Sequence, residues 1–203
     1  EETFKDVREY LLSLDPPAWP FARPADDAIE RGRVVFETTC ARCHGTSRCD
    51  ANESELVTLA ELGTDPVRAE SYGPAEVAWV NSGWLARDYA EESTGEYVAP
   101  PLRGVWATAP YFHNGSVPTL AGVLESSTRP RFFELAVGAD DYDMAAVGRK
   151  FTVHASAPAS PPRATRSHVY DTTKPGLSNA GHVFGDVLTA SQRADLLDFL
   201  KVY

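Results

Sequence analysis

The feature that most constrains this chain is Cys40-Ala41-Arg42-Cys43-His44-Gly45. Two cysteines separated by two residues, with histidine directly after the second, form the attachment signature of a c-type haem. On one helical turn the two sulfurs reach the two vinyl groups of the porphyrin, and the next side chain is carried beneath the iron. His44 is then the proximal ligand. Zinc would require four thiolate, imidazole or carboxylate ligands, with Cys49 as a third sulfur. A thioredoxin-type pair would sit between a strand and a helix. Here a helical pattern precedes the motif instead, from Asp27 to Thr39. Asp27 and Glu30 are spaced as a capping box, and Ile29, Gly32, Phe36 and Cys40 share a face.

A chain of 203 residues can bury one good core. Its 43% hydrophobic and 10% aromatic residues are ordinary for a globular protein, and no apolar run is long enough to cross a bilayer. The formal net charge of −10 repels phosphate, which argues against a nucleic-acid partner. Haem propionates would add to that negative charge. The third cysteine, Cys49, is left over once Cys40 and Cys43 carry a haem, and reads as a buried small side chain or a free thiol. Covalent haem attachment takes place on the outer side of the bacterial inner membrane, so the expected location is periplasmic or extracellular.

Residues 2 to 14 read as an amphipathic helix with Phe4, Val7 and Leu11 on one face, stopped by Asp15-Pro16-Pro17. An extended connector rich in proline and aromatic residues follows, Ala18 to Pro24. The expected division is a helix and linker at 1–24, leaving a preceding domain, and a mono-haem cytochrome c domain at 25–203. Short helices are expected over Asp65 to Ala69, over Pro74 to Val80 and over Val117 to Leu124. Little periodicity is visible from Val137 to Leu188, which predicts a long irregular loop. Thr189 and Gln192 form a capping box for a last helix, with Leu196, Phe199, Leu200 and Tyr203 as its apolar stripe. The fold class expected is mainly α: a cytochrome c-like haem domain with short helices, long irregular loops and few, short strands. The helix before the haem motif should cross the last helix.

A c-type haem with two axial ligands passes electrons, whereas one with an open face binds small molecules. Met144, His113, His154, His168 and His182 are the candidates for the sixth position. Met144 is the only methionine, and its acidic surroundings suggest a turn. Glycines flank His182 in Gly181-His182-Val183-Phe184-Gly185, which allows close backbone approach to a flat ligand. Phe184 could cover the porphyrin edge. Residues alone leave the choice open.

Ala99 to Leu120, which contains Ala109-Pro110-Tyr111-Phe112-His113-Asn114-Gly115-Ser116, resembles the C-terminal haem domain of the bacterial di-haem cytochrome c peroxidase superfamily. The likeness is greatest to the branch containing the haem-dependent rubber oxygenases. Arg129-Pro130, Tyr142-Asp143, Val147-Gly148, Asp171-Thr172-Thr173 and Ser178 to His182 extend it over nearly the whole chain. The peroxidases take a methionine ligand shortly after the segment matching Tyr111 to Gly115, and this chain has none between Asn114 and Asp143. In the oxygenase-like branch a histidine takes that place, and the resemblance makes His182 the distal ligand. Trp106, Tyr111 and His113 become candidates to line the porphyrin or hydrogen-bond a propionate, with ordinary packing as the alternative. Some relatives hold calcium, but Asp140, Asp141 and Asp143 lack a calcium-loop spacing.

Family members use two haems and this chain has one motif. The resemblance therefore implies one covalent haem c with bis-histidine iron at His44 and His182. The expected role is single-electron transfer within a larger exported redox protein, at a potential below that of a His/Met centre. The partner would be a redox protein or an adjacent haem domain. The alternative is a haem peroxidase or oxygenase with an open or labile sixth site.

Overall fold

The computed structural model describes residues 2–45, 55–87, 90–157 and 166–203. Cys49 and most of the Pro- and Ala-rich stretch at 155–162 lie outside them. In chain order the elements are α1 Glu2–Ser13, α2 Asp26–Thr39, α3 Ala41–His44, β1 Leu56–Thr58, α4 Leu59–Leu62, α5 Val67–Glu70 and α6 Pro74–Asn81. There follow β2 Glu96–Val98, α7 Leu120–Leu124, β3 Phe132–Leu135, β4 Tyr142–Asp143, β5 Gly148–Arg149, β6 Phe151–Val153, β7 Val169–Asp171 and α8 Ala190–Val202. Short 3-10 turns link several of them.

The core is built where α2 crosses α8. Helix α2 buries Ala28, Gly32, Val35 and Phe36, a stripe at helical spacing. Helix α8 buries Leu196, Phe199 and Leu200. Phe36 meets Phe199 and Tyr203 at ring separations of 5.3 and 4.9 Å. Gly32 marks the point of closest approach: a Cβ there would overlap the Asp195 carbonyl and lie 2.7 Å from Phe199 Cβ. Arg31 closes the crossing from outside with two hydrogen bonds of 2.9 Å to the Asp195 carboxylate.

The capping box expected at Thr189 is present: its hydroxyl accepts from Gln192 N and its own N donates to Gln192 Oε1. The one expected at Asp27 and Glu30 is not. Helix α2 begins after Ala25 without a side-chain cap, because Asp27 pairs with Arg31 and Glu30 with Arg33. These i, i+4 and i, i+3 guanidinium pairs compete for the carboxylates.

Helix α7 is shorter than the Val117 to Leu124 expected. Val117 pairs with Tyr111 as a β-bridge, Pro118 precedes the helix, and Thr119 caps it by accepting from Gly122 N. Between Val137 and Leu188 the chain is less irregular than its weak periodicity predicts. Strand β3 is flanked by β6 and β7 in an antiparallel sheet, and β4 pairs with β5 in a hairpin. At three residues or so a strand is too short to show a period of two. Phe133 anchors this sheet, fully buried and stacked 4.6 Å from Tyr170. Strands β1 and β2 pair antiparallel. The described residues thus join helices with three small sheets of short strands, so the mainly α expectation holds in part.

Helix α1 forms as expected, with none of its residues buried. The connector after it lies on the domain: Trp106 Nε1 donates to the Pro17 carbonyl at 3.0 Å, and Trp19 meets Trp106 edge to face at 5.4 Å. Among the described residues no helix is long and apolar enough to cross a membrane.

Candidate haem site

Cys40 ends α2 and opens α3, and the chain turns on its carbonyl, which accepts from Cys43 N at 3.2 Å and His44 N at 3.1 Å. This turn brings Cys40, Cys43 and His44 together on the wall of a cavity of about 440 Å³. Phe36 and Leu200 of the helix crossing, Val57 and Val98 of the β1–β2 pair, and Leu120 and Leu124 of α7 line it, so the wall is mostly hydrocarbon.

His44 Nδ1 lies 2.7 Å from the Pro100 carbonyl. A carbonyl only accepts, so Nδ1 carries the proton and donates. Nε2 is left with a free lone pair, and the ring is oriented by its partner as a metal-ligating imidazole usually is. Burial lowers the His44 pKa, opposed by that hydrogen bond. Burial pushes the Cys40 thiol up to about 11 and raises Cys43 as well. Both thiols are therefore protonated at neutral pH, unlike the activated thiolate of a reactive dithiol.

His182 lines the same cavity. Its ring centroid is 6.2 Å from that of His44, the planes 56° apart. Phe112 and Phe184 flank it at 5.9 and 5.2 Å. Burial first, then the neighbouring His44 and Arg129, lowers its pKa to about 4. The ring is therefore neutral at neutral pH, the form that binds a metal. Its Nδ1 is buried without a hydrogen-bond partner.

The segment carrying His182 is fixed through its backbone. His182 adopts φ 47°, a left-handed conformation that costs a non-glycine residue about 1–2 kcal/mol. Gly181, at φ 80°, packs so closely on Gly63 and Thr64 that a Cβ would overlap both. His182 N donates to Leu62 O at 2.7 Å. Buried Asp65 accepts from Gly176 N at 2.9 Å and Ser178 N at 3.0 Å. From the Tyr111 to Ser116 segment, Asn114 Nδ2 and Ser116 Oγ donate to Ser178 O at 2.9 and 3.0 Å. Arg129 donates to the carbonyls of Asn179, Gly181 and His182.

Of the five sixth-ligand candidates, His182 and His113 line the cavity. Met144 is 52% exposed beside the β4–β5 hairpin. His154 faces Glu134 at 3.7 Å, and His168 ends a 3-10 turn. His113 stacks on Tyr97 at 4.6 Å with Nε2 buried and unpartnered. Tyr111 also lines the cavity, its hydroxyl directed to the Val105 and Val147 carbonyls at 3.2 and 3.3 Å. Trp106 is not among the lining residues; it packs with Trp19 and Tyr142 on the connector side. Asp140 and Asp141 pair with Lys150 and Arg149, while Asp143 accepts from Ala145 N and Ala146 N.

Sequence reasoning missed Asp65, Asn114, Ser116 and Arg129 as residues of the site. Asp65, directly before a proline, looks like a helix start, and Arg129 was visible only as part of a family-like dipeptide. An apolar cavity, paired thiols on one turn, one imidazole with a spare nitrogen and two with orphaned buried nitrogens fit a haem.

Residues 95–134 match the family model described as RoxA-like, cytochrome c-like. The uncharacterized protein y4iM of Sinorhizobium fredii is 31% identical over 204 residues, covering 87% of this chain and 45% of the relative. The uncharacterized protein y4iJ of the same organism is 27% identical over 94% of this chain and 42% of its own length. The cytochrome c peroxidase Ccp of Escherichia coli is 26% identical over 63% of this chain and 27% of its length. The chain thus spans less than half the length of these relatives. With the cavity and its ligand-bearing turn, these similarities make the chain a cytochrome c-like, haem-binding redox domain, similar to the RoxA-like cytochromes and distantly to cytochrome c peroxidase.

Proposed function

We propose that this domain is a single-haem electron-transfer unit of a larger exported redox protein, with Cys40 and Cys43 as the thioether anchors and His44 and His182 as axial ligands. The observation that carries the reading is the separation of the two imidazoles. An imidazole nitrogen sits about 2.0–2.1 Å from a first-row metal such as zinc, and iron accepts the same ligand type. Two such nitrogens on opposite sides of one ion lie about 4 Å apart, and the ring centres, each about 1 Å further out, about 6 Å. The ring centroids of His44 and His182 are 6.2 Å apart.

Haem bound in this cavity supplies a one-electron couple. The protein's part is to keep the ligands still and the site dry. Pro100 holds the His44 ring, and the hydrogen bonds at Leu62, Asp65 and Arg129 hold the backbone around His182. Ligands fixed in this way need little rearrangement when the charge on the centre changes. Relatives more than twice as long as this chain support a parent protein in which an adjacent haem domain or a separate redox protein exchanges the electron.

A second reading, a haem peroxidase or oxygenase with a labile sixth position, draws on the similarity to cytochrome c peroxidase and on the left-handed backbone at His182. Potentiometric titration with cyanide binding separates the two. A potential below the His/Met range and slow cyanide binding are expected. A His/Met-like potential, or cyanide binding as fast as to an open haem, would contradict bis-histidine ligation.

A further inference from the structure

Arg129 follows a 3-10 turn after α7 and is half-buried. The five hydrogen bonds of its guanidinium all run to main-chain carbonyls. Nε donates to Gly122 at 2.8 Å and Nη2 to Val123 at 3.2 Å, both in α7. Nη1 donates to Asn179 at 2.8 Å and Gly181 at 2.7 Å, and Nη2 also to His182 at 3.1 Å. The guanidinium lies 4.9 Å over the Phe112 ring, and Phe112 itself is 5.9 Å from the His182 ring. One planar group therefore ties α7, whose Leu120, Val123 and Leu124 line the cavity, to the segment that carries His182.

The geometry points to Arg129 as the positioning residue for the distal ligand: its five hydrogen bonds to carbonyls of α7 and residues 179–182 hold the His182 backbone in its left-handed conformation and so keep the imidazole at bonding distance from the iron. This rests on His182 being the sixth ligand. Three considerations support it. The conformation at His182 is intrinsically unfavourable and persists only where the surroundings over-determine it. The guanidinium is half-buried, where a charge is costly unless its donors are met, and here they are met by main-chain carbonyls of α7 and of residues 179–182. Finally, the fork is specific. Lysine has three donors on one nitrogen, whereas arginine has five spread over a plane, and only the latter reaches carbonyls of two segments at once.

The test uses the haem-loaded protein with Arg129→Lys and Arg129→Met, the second carrying no charge to bury. Ferric spin state is read by electron paramagnetic resonance and optical absorption, and hydrogen exchange is followed at the His182 amide. In variants that retain covalent haem and parent-like far-ultraviolet circular dichroism, the ratio of high-spin to low-spin iron is expected to rise about tenfold or more, the loss expected when a charge-assisted hydrogen bond is removed. The His182 amide should exchange faster, and added imidazole should restore low-spin iron. Folded variants that stay as low-spin as the parent, with unchanged exchange at His182, would overturn the assignment. Failure of both variants to fold would overturn it too, making Arg129 a residue of the whole fold. His182→Ala serves as the control: if removing His182 leaves the parent's spin state untouched, the bis-histidine reading fails rather than the role of Arg129.

Discussion

A histidine at φ 47° with Nδ1 unpartnered in the interior costs stability twice, in backbone strain and in lost solvation. The surrounding residues show what offsets that cost. Asp65 contributes by turning a buried carboxylate toward two loop N–H groups, at Gly176 and Ser178, and toward Val67 N at 3.0 Å. Asp65→Ala leaves those donors unsatisfied, and is expected to lower stability by about 2–4 kcal/mol. The result should be a reduced denaturant midpoint at unchanged slope. An unchanged midpoint would mean that the loop is held without it. At this scale Cys40, Cys43 and His44 were legible because their geometry lies within one turn. His182 was singled out only by resemblance, since its approach to His44 depends on the whole intervening chain. The Asp65 and Arg129 contacts are side chain to distant main chain, a kind of pairing that leaves no periodic trace in a sequence.

Among the elements, α2 and α8 were readable because each repeats apolar residues every three or four positions over about two turns. Their crossing also explains Gly32, which a pattern of hydrophobic residues cannot. A methyl group there meets Asp195 and Phe199 with no room to yield. Gly32→Ala is expected to destabilise the domain by about 1–3 kcal/mol or more through overpacking, although alanine is the better helix former by about 1 kcal/mol. Denaturant titration decides it, and a variant more stable than the parent would show that the helices can part without loss. The strands after Val137 escaped notice for the opposite reason. Each has two or three residues, and the sheet that β6 and β7 complete is anchored by a side chain of the strand before them, Phe133 of β3. The α2 cap failed as a prediction because local arginines captured both acidic residues.

For the molecule as a whole, a cavity of about 440 Å³ lies beside the α2–α8 crossing, and its wall draws on segments from Phe36 to Leu200. A group filling it would contact the α2–α8 crossing, the turn at Cys40 to His44, the β1–β2 pair, α7 and the segment at His182, and so would join the helical core to the loops around it. The attachment motif made a haem legible in the sequence, but the approach of His44 and His182 across one cavity, on which the proposed ligation rests, follows only from the assembled fold. The most direct measurement is the ferric spin state of the haem-loaded domain and of its His182→Ala variant, by electron paramagnetic resonance and near-infrared absorption. The account predicts low-spin iron without a methionine-to-iron charge-transfer band in the parent, and high-spin iron in the variant. High-spin iron in the parent, or a variant that cannot be told from it, would contradict it.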